Sequence, residues 1–174
     1  MALPVFGKAH QAAAGSDFTW FVYGSSLDRE AFAEWAASHG YAVPDLTRGV
    51  PARLHGHRLA FDVVSRHWGG AVASLAEAPG AWVEGLAVPL PGAARGLVDH
   101  KEGSVSGLFT PFAVTVQPLA GGPAISALAY RTAPERRLPS DAPPAPAWLE
   151  VVRRGARQSG LSAEWQAVLD RLGR

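Results

Sequence analysis

The first strong pattern along the chain is Trp20-Phe21-Val22, a run of aromatic and β-branched residues that reads as a buried strand. It breaks at Tyr23-Gly24-Ser25-Ser26. The pattern then changes to Leu27–His39, with Leu27, Ala31 and Trp35 four apart on one helical face. This is strand, tight polar turn, helix. Ser25 or Ser26 is placed to cap the helix, and Asp28 and Glu30 suit its first turn. Gly24 lets other groups come close to the backbone. Successive amide N–H groups at such a turn form an anion or oxyanion site. Read structurally, the same stretch is a capped connection without chemistry.

The remaining pattern is mostly strand-like. Arg53–Val64 predicts a strand interrupted at Gly56 by a bulge or bend. Trp68-Gly69-Gly70 reads as a turn, Ala71–Leu75 as a buried strand, Ala78-Pro79-Gly80 as the next turn and Trp82–Leu90 as another strand. Gly92–Glu102 reads as a short helix that stops at Gly103. Leu108–Leu119 and Pro123–Thr132 are further strands joined by Gly121-Gly122. A Pro-rich segment from Ala133 to Pro146 reads as extended chain lying over the body. Two helices follow. Trp148–Arg157 places Trp148, Val151 and Val152 on one face, and Ser162–Leu172 opens on a Ser cap with Trp165, Val168, Leu169 and Leu172 on one face. Strands that do not alternate with helices point to an α+β fold. The expectation is a small mixed β-barrel-like sheet with flanking helices and a C-terminal helical pair. Residues 1–17 show weak periodicity and read as a flexible N-terminal leader, with residues 18–174 as one domain.

Composition narrows the classes. Hydrophobic residues at 48% and charged residues at 18% fit a packed globular domain of 174 residues. Sixteen basic and fifteen acidic residues leave a net charge of +1, so no global field argues for nucleic acid or a membrane surface. Cysteine is absent, which excludes disulfides and thiolate chemistry. No apolar run of membrane-spanning length and no basic-then-apolar leader occurs, so the cytoplasm is the simplest location.

Glu102 is the candidate for chemistry. It ends V-D-H-K-E-G, where the electronegative helix terminus raises a carboxylate's affinity for protons. Such placement suits a general base or acid near neutral pH. The structural alternative is a solvated residue paired with Lys101 or Arg95. His55 and His57 are two apart, so in a strand both face one way, but no third ligand completes a metal site. Y-G-S-S is not a serine nucleophile motif, and neither Gly-Gly pair is a phosphate loop.

In order and spacing, four segments together resemble the gamma-glutamylcyclotransferases. They are V-Y-G-S-S-L at 22–27; W-G-G-A-V-A-S-L-A-E-A-P-G at 68–80 with V-E-G at 83–85; V-D-H-K-E-G-S-V-S-G-L-F at 98–109; and A-L-A-Y-R-T at 127–132, followed by the Pro-rich segment and G-A-R-Q-S-G-L at 155–161. Ser26 stands where the family commonly has Asn, and Glu84 where it often has Trp. The resemblance implies a barrel-like fold with its pocket at the Tyr23–Ser26 turn. It implies intramolecular aminolysis of a γ-glutamyl compound, releasing 5-oxoproline and a free amine or amino acid. It assigns Glu102 as catalytic acid/base and Phe21, Val22, Tyr23, Gly24, Ser25, Ser26 and Tyr130 as substrate-binding. It implies no cofactor and no metal, and a small-molecule γ-glutamyl substrate acted on by a monomer or homodimer, with no nucleic-acid or membrane partner. The alternative is a non-catalytic small-molecule binding protein that keeps the pocket.

Overall fold

The computed structural model describes residues 15–174. The expected leader therefore lies, over residues 1–14, outside the described residues. Asp17, in the same expectation, accepts a hydrogen bond from the Gly92 N–H at 3.2 Å.

Five strands close into a barrel: β1 (Phe18–Val22), β2 (Val50–Ser65), β3 (Gly70–Leu90), β4 (Phe109–Pro118) and β5 (Ile125–Thr132). Their order around the barrel is β1-β3-β2-β4-β5. β1 is the mixed element, antiparallel to β3 from Phe18↔Leu90 to Val22↔Leu86 and parallel to β5 at Trp20↔Leu128. Being central, it is apolar on both faces: Trp20, Phe21 and Val22 are all buried. Four helices flank the barrel: α1 (Arg29–Ser38), α2 (Arg95–Lys101), α3 (Pro146–Gln158) and α4 (Ala163–Arg171). The mixed barrel, flanking helices and C-terminal pair agree with the α+β expectation.

Several local expectations need correction. Ala78-Pro79-Gly80 does not separate two strands: β3 runs unbroken for 21 residues and pairs with 16-residue β2 as one long hairpin. The hairpin bends instead of turning. Its register shifts between His55 and His57, where Gly56 has φ 75°, and the partner strand jumps from Trp82 to Glu77. That bulge resets the side-chain alternation, so the spacing of two no longer places His55 and His57 on one face. His55 is exposed, while His57 packs near the Phe112 ring at 6.1 Å. Among the described residues no three His, Asp or Glu side chains gather as metal ligands.

The helix starts also differ. Ser25–Leu27 forms a separate 3-10 turn, and α1 is capped by Asp28, whose carboxylate accepts from the Ala31 N–H at 2.9 Å. Aspartate wins because a fully buried carboxylate also pairs with Arg154 of α3. The buried face of α1 is Phe32 and Ala36, with Trp35 half-buried. On α3, Leu149 joins Trp148 and Val152 in the core, while Val151 stays half-buried.

The Pro-rich segment lies over the body as expected, tied by backbone bonds from Leu138 N–H to Asp62 O (2.7 Å), Ala142 N–H to Phe61 O (2.9 Å) and Ala145 N–H to Ala71 O (2.8 Å). Pro146 then opens α3, where the missing N–H is no loss. α3 crosses the Ser25–Leu27 turn at Gly155. A Cβ there would sit 2.5 Å from Asp28 N and from Leu27 C, so only glycine allows this approach. α4 is capped by Ser162, whose hydroxyl accepts from the Trp165 N–H at 3.1 Å.

Candidate active site

The chain builds a cavity of about 140 Å³ where five stretches of the chain converge. The turn after β1 supplies Tyr23, Gly24, Ser25 and Ser26. The end of α2 supplies Lys101, Glu102 and Gly103. The far end of the β2–β3 hairpin supplies Ser65, Trp68, Val72 and Ala73. Leu108, Phe109 and, from α3, Trp148 complete the wall. The volume corresponds to roughly five waters, enough to enclose a small polar head but not a whole drug-sized ligand.

The turn is shaped by its own hydrogen bonds. Leu27 N–H donates to Gly24 O (3.1 Å) and Asp28 N–H to Ser25 O (3.2 Å). The Ser25 and Ser26 amides open this 3-10 turn and so have no partner within it. Gly24 adopts φ −109°, so backbone strain does not demand glycine there. A Cβ would instead meet Trp148 Cζ2 at 3.7 Å, an ordinary contact. Trp148 is the wall residue that its place on one helical face with Val151 and Val152 did not single out.

Glu102 caps the C-terminus of α2, its N–H bonding Val98 O at 2.9 Å. Glu102 is half-buried and lines the cavity. Burial pushes its pKa up to about 7, with Lys101 and the Trp20 indole pulling the other way. The helix end was the expected cause, but desolvation dominates. The Trp20 Nε1–H is buried and forms no full hydrogen bond, so its pull on Glu102 is an approach short of bonding geometry. Neither suggested partner neutralises the carboxylate outright: Arg95 bonds Asp99, and the Lys101 ammonium lies 5.2 Å from the Trp35 ring centroid. Burial lowers the Lys101 pKa while Glu102 raises it. Tyr23 is held strongly protonated, first by burial and then by Glu102 and Asp62.

The structure brings Tyr23, Gly24, Ser25, Ser26 and Glu102 to one cavity wall. It does not bring Phe21, Val22 or Tyr130 there. Phe21 and Val22 fill the barrel core beneath the turn. The Tyr130 hydroxyl donates to Asp99 Oδ1 at 2.5 Å, and its backbone carbonyl accepts from the Tyr23 hydroxyl at 2.6 Å. The Tyr130 proton is thus committed to α2, and Tyr130 is not among the residues that line the cavity. Glu84 does not face the cavity either. It is fully buried and accepts from Arg53 (2.8 Å), Ser162 N–H (2.9 Å) and Ser162 Oγ–H (2.7 Å), anchoring α4 to the barrel.

A second cavity of about 230 Å³ lies between α3 and the chain end. Its Arg153 is already spent on the carbonyls of Leu169 and Leu172.

Comparison with known proteins agrees with this architecture. A model of the AIG2-like family matches residues 83–169, half of the chain. The cattle gamma-glutamylcyclotransferase is 29% identical over 160 residues, covering 90% of this chain and 79% of that protein. The mouse gamma-glutamylcyclotransferase is 26% identical over 166 residues, covering 93% and 82%. A solved gamma-glutamyl cyclotransferase structure superposes with a TM-score of 0.74 at 24% identity, covering 90% of this chain and 88% of that one. On the family match and the shared barrel, the chain belongs to the AIG2-like family and has the gamma-glutamylcyclotransferase fold.

Proposed function

We propose that the chain converts a γ-glutamyl compound into 5-oxoproline and a free amine or amino acid, with Glu102 as acid/base. The observation that carries this reading is a cavity carboxyl group with a pKa of about 7, facing a turn with unpartnered amides.

The chemistry follows from what each group can do. The substrate's α-ammonium cannot attack until it loses a proton, and the Glu102 carboxylate accepts it. The free amine then forms a bond to its own γ-carbonyl carbon. The carbonyl oxygen becomes an oxyanion, and the Ser25 and Ser26 N–H groups, without partners inside their turn, are the donors offered to it. As the intermediate collapses, the γ-carbon–nitrogen bond to the leaving group breaks; Glu102 gives its proton to that amine, takes the second proton from the ring nitrogen and passes it on, so the amine departs as an ammonium and the carboxylate is restored. Atoms and protons balance without water or any further reactant. Tyr23, held protonated at neutral pH, stays a hydrogen-bond donor throughout. The cavity encloses only a small head group, so the leaving amine extends out of it.

The test is a panel of γ-glutamyl amino acids and γ-glutamyl amines incubated with the protein, with 5-oxoproline as the product measured. Release from at least one member is expected. Tight binding across the panel without release would favour the non-catalytic reading.

A further inference from the structure

Tyr130 makes two bonds in opposite directions. Its backbone carbonyl holds the hydroxyl of Tyr23, the first residue of the cavity turn, at 2.6 Å. Its own hydroxyl donates to Asp99 Oδ1 at 2.5 Å, and the same oxygen accepts from Arg95 Nε at 2.9 Å. Arg95, Asp99 and Glu102 are spaced i, i+4, i+7 and share one stripe of α2. Asp99 also anchors the helix end: its carbonyl accepts from the Ser104 N–H at 2.9 Å, closing the chain around Glu102 and Gly103. The opposite side of α2 is braced separately, with the Tyr41 hydroxyl at 2.9 Å from His100 Nδ1 and Trp35 edge-on to His100 at 5.2 Å.

We infer that Tyr130 is a positioning residue, which through Asp99 sets where the Glu102 carboxyl group stands relative to the Tyr23–Ser26 turn. The inference rests on the acid/base reading of Glu102. It assigns Tyr130 no contact with substrate. A seven-residue helix with no side-chain N-cap bond has little stability of its own, so its register depends on such ties. Tyr130 is wholly buried in β5, the rigid part of the barrel, and β5 pairs directly with β1, from which the turn leaves. One residue thus fixes both halves of the site to one frame.

Tyr130→Phe removes the bond to Asp99 and leaves the carbonyl that holds Tyr23. A misplacement near 1 Å costs about 10²-fold in rate. The expected result is a fall in kcat of roughly 10- to 100-fold with KM within about twofold. Asp99→Ala should match it, Asp99→Asn, which keeps an acceptor, should recover most of the rate, and Tyr130→Phe/Asp99→Ala should be no worse than Asp99→Ala. A second readout does not need turnover: titration of the Glu102 carboxyl by carbon-13 NMR in parent and Tyr130→Phe. The charged or titratable groups around it are Lys101, Asp99 and Arg95 on its own helix, Tyr23 on the turn and Tyr130 on β5. None of these charges changes in the variant. A loosened helix end hydrates the carboxyl, so its midpoint should fall toward the ordinary carboxylate range. If the parent releases no 5-oxoproline, the acid/base reading fails, and the NMR titration still decides the tether. Unchanged kcat in Tyr130→Phe, or an unmoved Glu102 midpoint there, overturns the inference.

Discussion

At the scale of single residues, the protonation of Glu102 governs two measurable properties. Its pKa is about 7 in the folded protein and near 4.5 in the unfolded chain. A carboxyl whose folded pKa is raised contributes stability fully below pH 4.5, and that contribution is lost as pH rises through 7. Glu102→Gln removes the cost of ionising a buried group. It should therefore be more stable than the parent at pH 8, by up to about 3 kcal/mol, with the difference vanishing near pH 4. Denaturant melts of both proteins at several pH values check this. Equal stability at pH 8 would mean the carboxyl is hydrated. The residue itself was legible in the sequence, since the V-D-H-K-E-G motif and a helix end both mark it. The dominant cause of its shift was not, because enclosure by β1, the hairpin and β4 is a property of the closed barrel. Tyr130 shows the same divide. Its place in A-L-A-Y-R-T singled it out, but nothing local says that its hydroxyl turns to Asp99 and away from the cavity.

At the scale of elements, two contacts position the site from behind. Gly155 lets α3 lie directly on the Ser25–Leu27 turn, and a methyl group there would meet Asp28 N and Leu27 C at 2.5 Å and Leu27 Cβ at 2.6 Å, none of them the end of a flexible side chain. Gly155→Ala should cost about 1–3 kcal/mol and should weaken ligand binding as well, since the turn must shift. Thermal melts and a binding titration measure the two effects, and a destabilised variant with unaltered affinity would show that α3 moves and the turn does not. The second contact is Glu84, which joins β3 to Arg53 of β2 and to the start of α4. Glu84→Ala leaves a cation and a buried N–H without their acceptor and should cost on the order of 3 kcal/mol. Glu84→Gln keeps an acceptor oxygen and should cost less, as urea unfolding would show. Strand and helix positions were legible wherever an apolar pattern met a glycine or proline. The unbroken run of β3 was not: Ala78-Pro79-Gly80 has the chemistry of a turn, yet pairing on both sides of it, Glu77 with His57 and Trp82 with His55, carries the strand past it.

At the scale of the whole molecule, the barrel turns five separate stretches of sequence into one cavity, Leu108 and Phe109 among them. β1 brings the turn, α2 the carboxyl, the long hairpin the aromatic rim, and α3 the indole over Gly24. Strand order β1-β3-β2-β4-β5 could not be read from periodicity, since pairing partners come from closure and not from local pattern. Burial on closure also raises the Glu102 pKa to about 7, the condition that the proposed proton transfer needs near neutral pH. The most direct test of that claim is 5-oxoproline release by the parent and by Glu102→Gln, using the best substrate from the γ-glutamyl panel and a binding titration beside it. The account predicts a fall in kcat of roughly 10²- to 10⁴-fold with binding retained. A Glu102→Gln protein that turns over like its parent would contradict it.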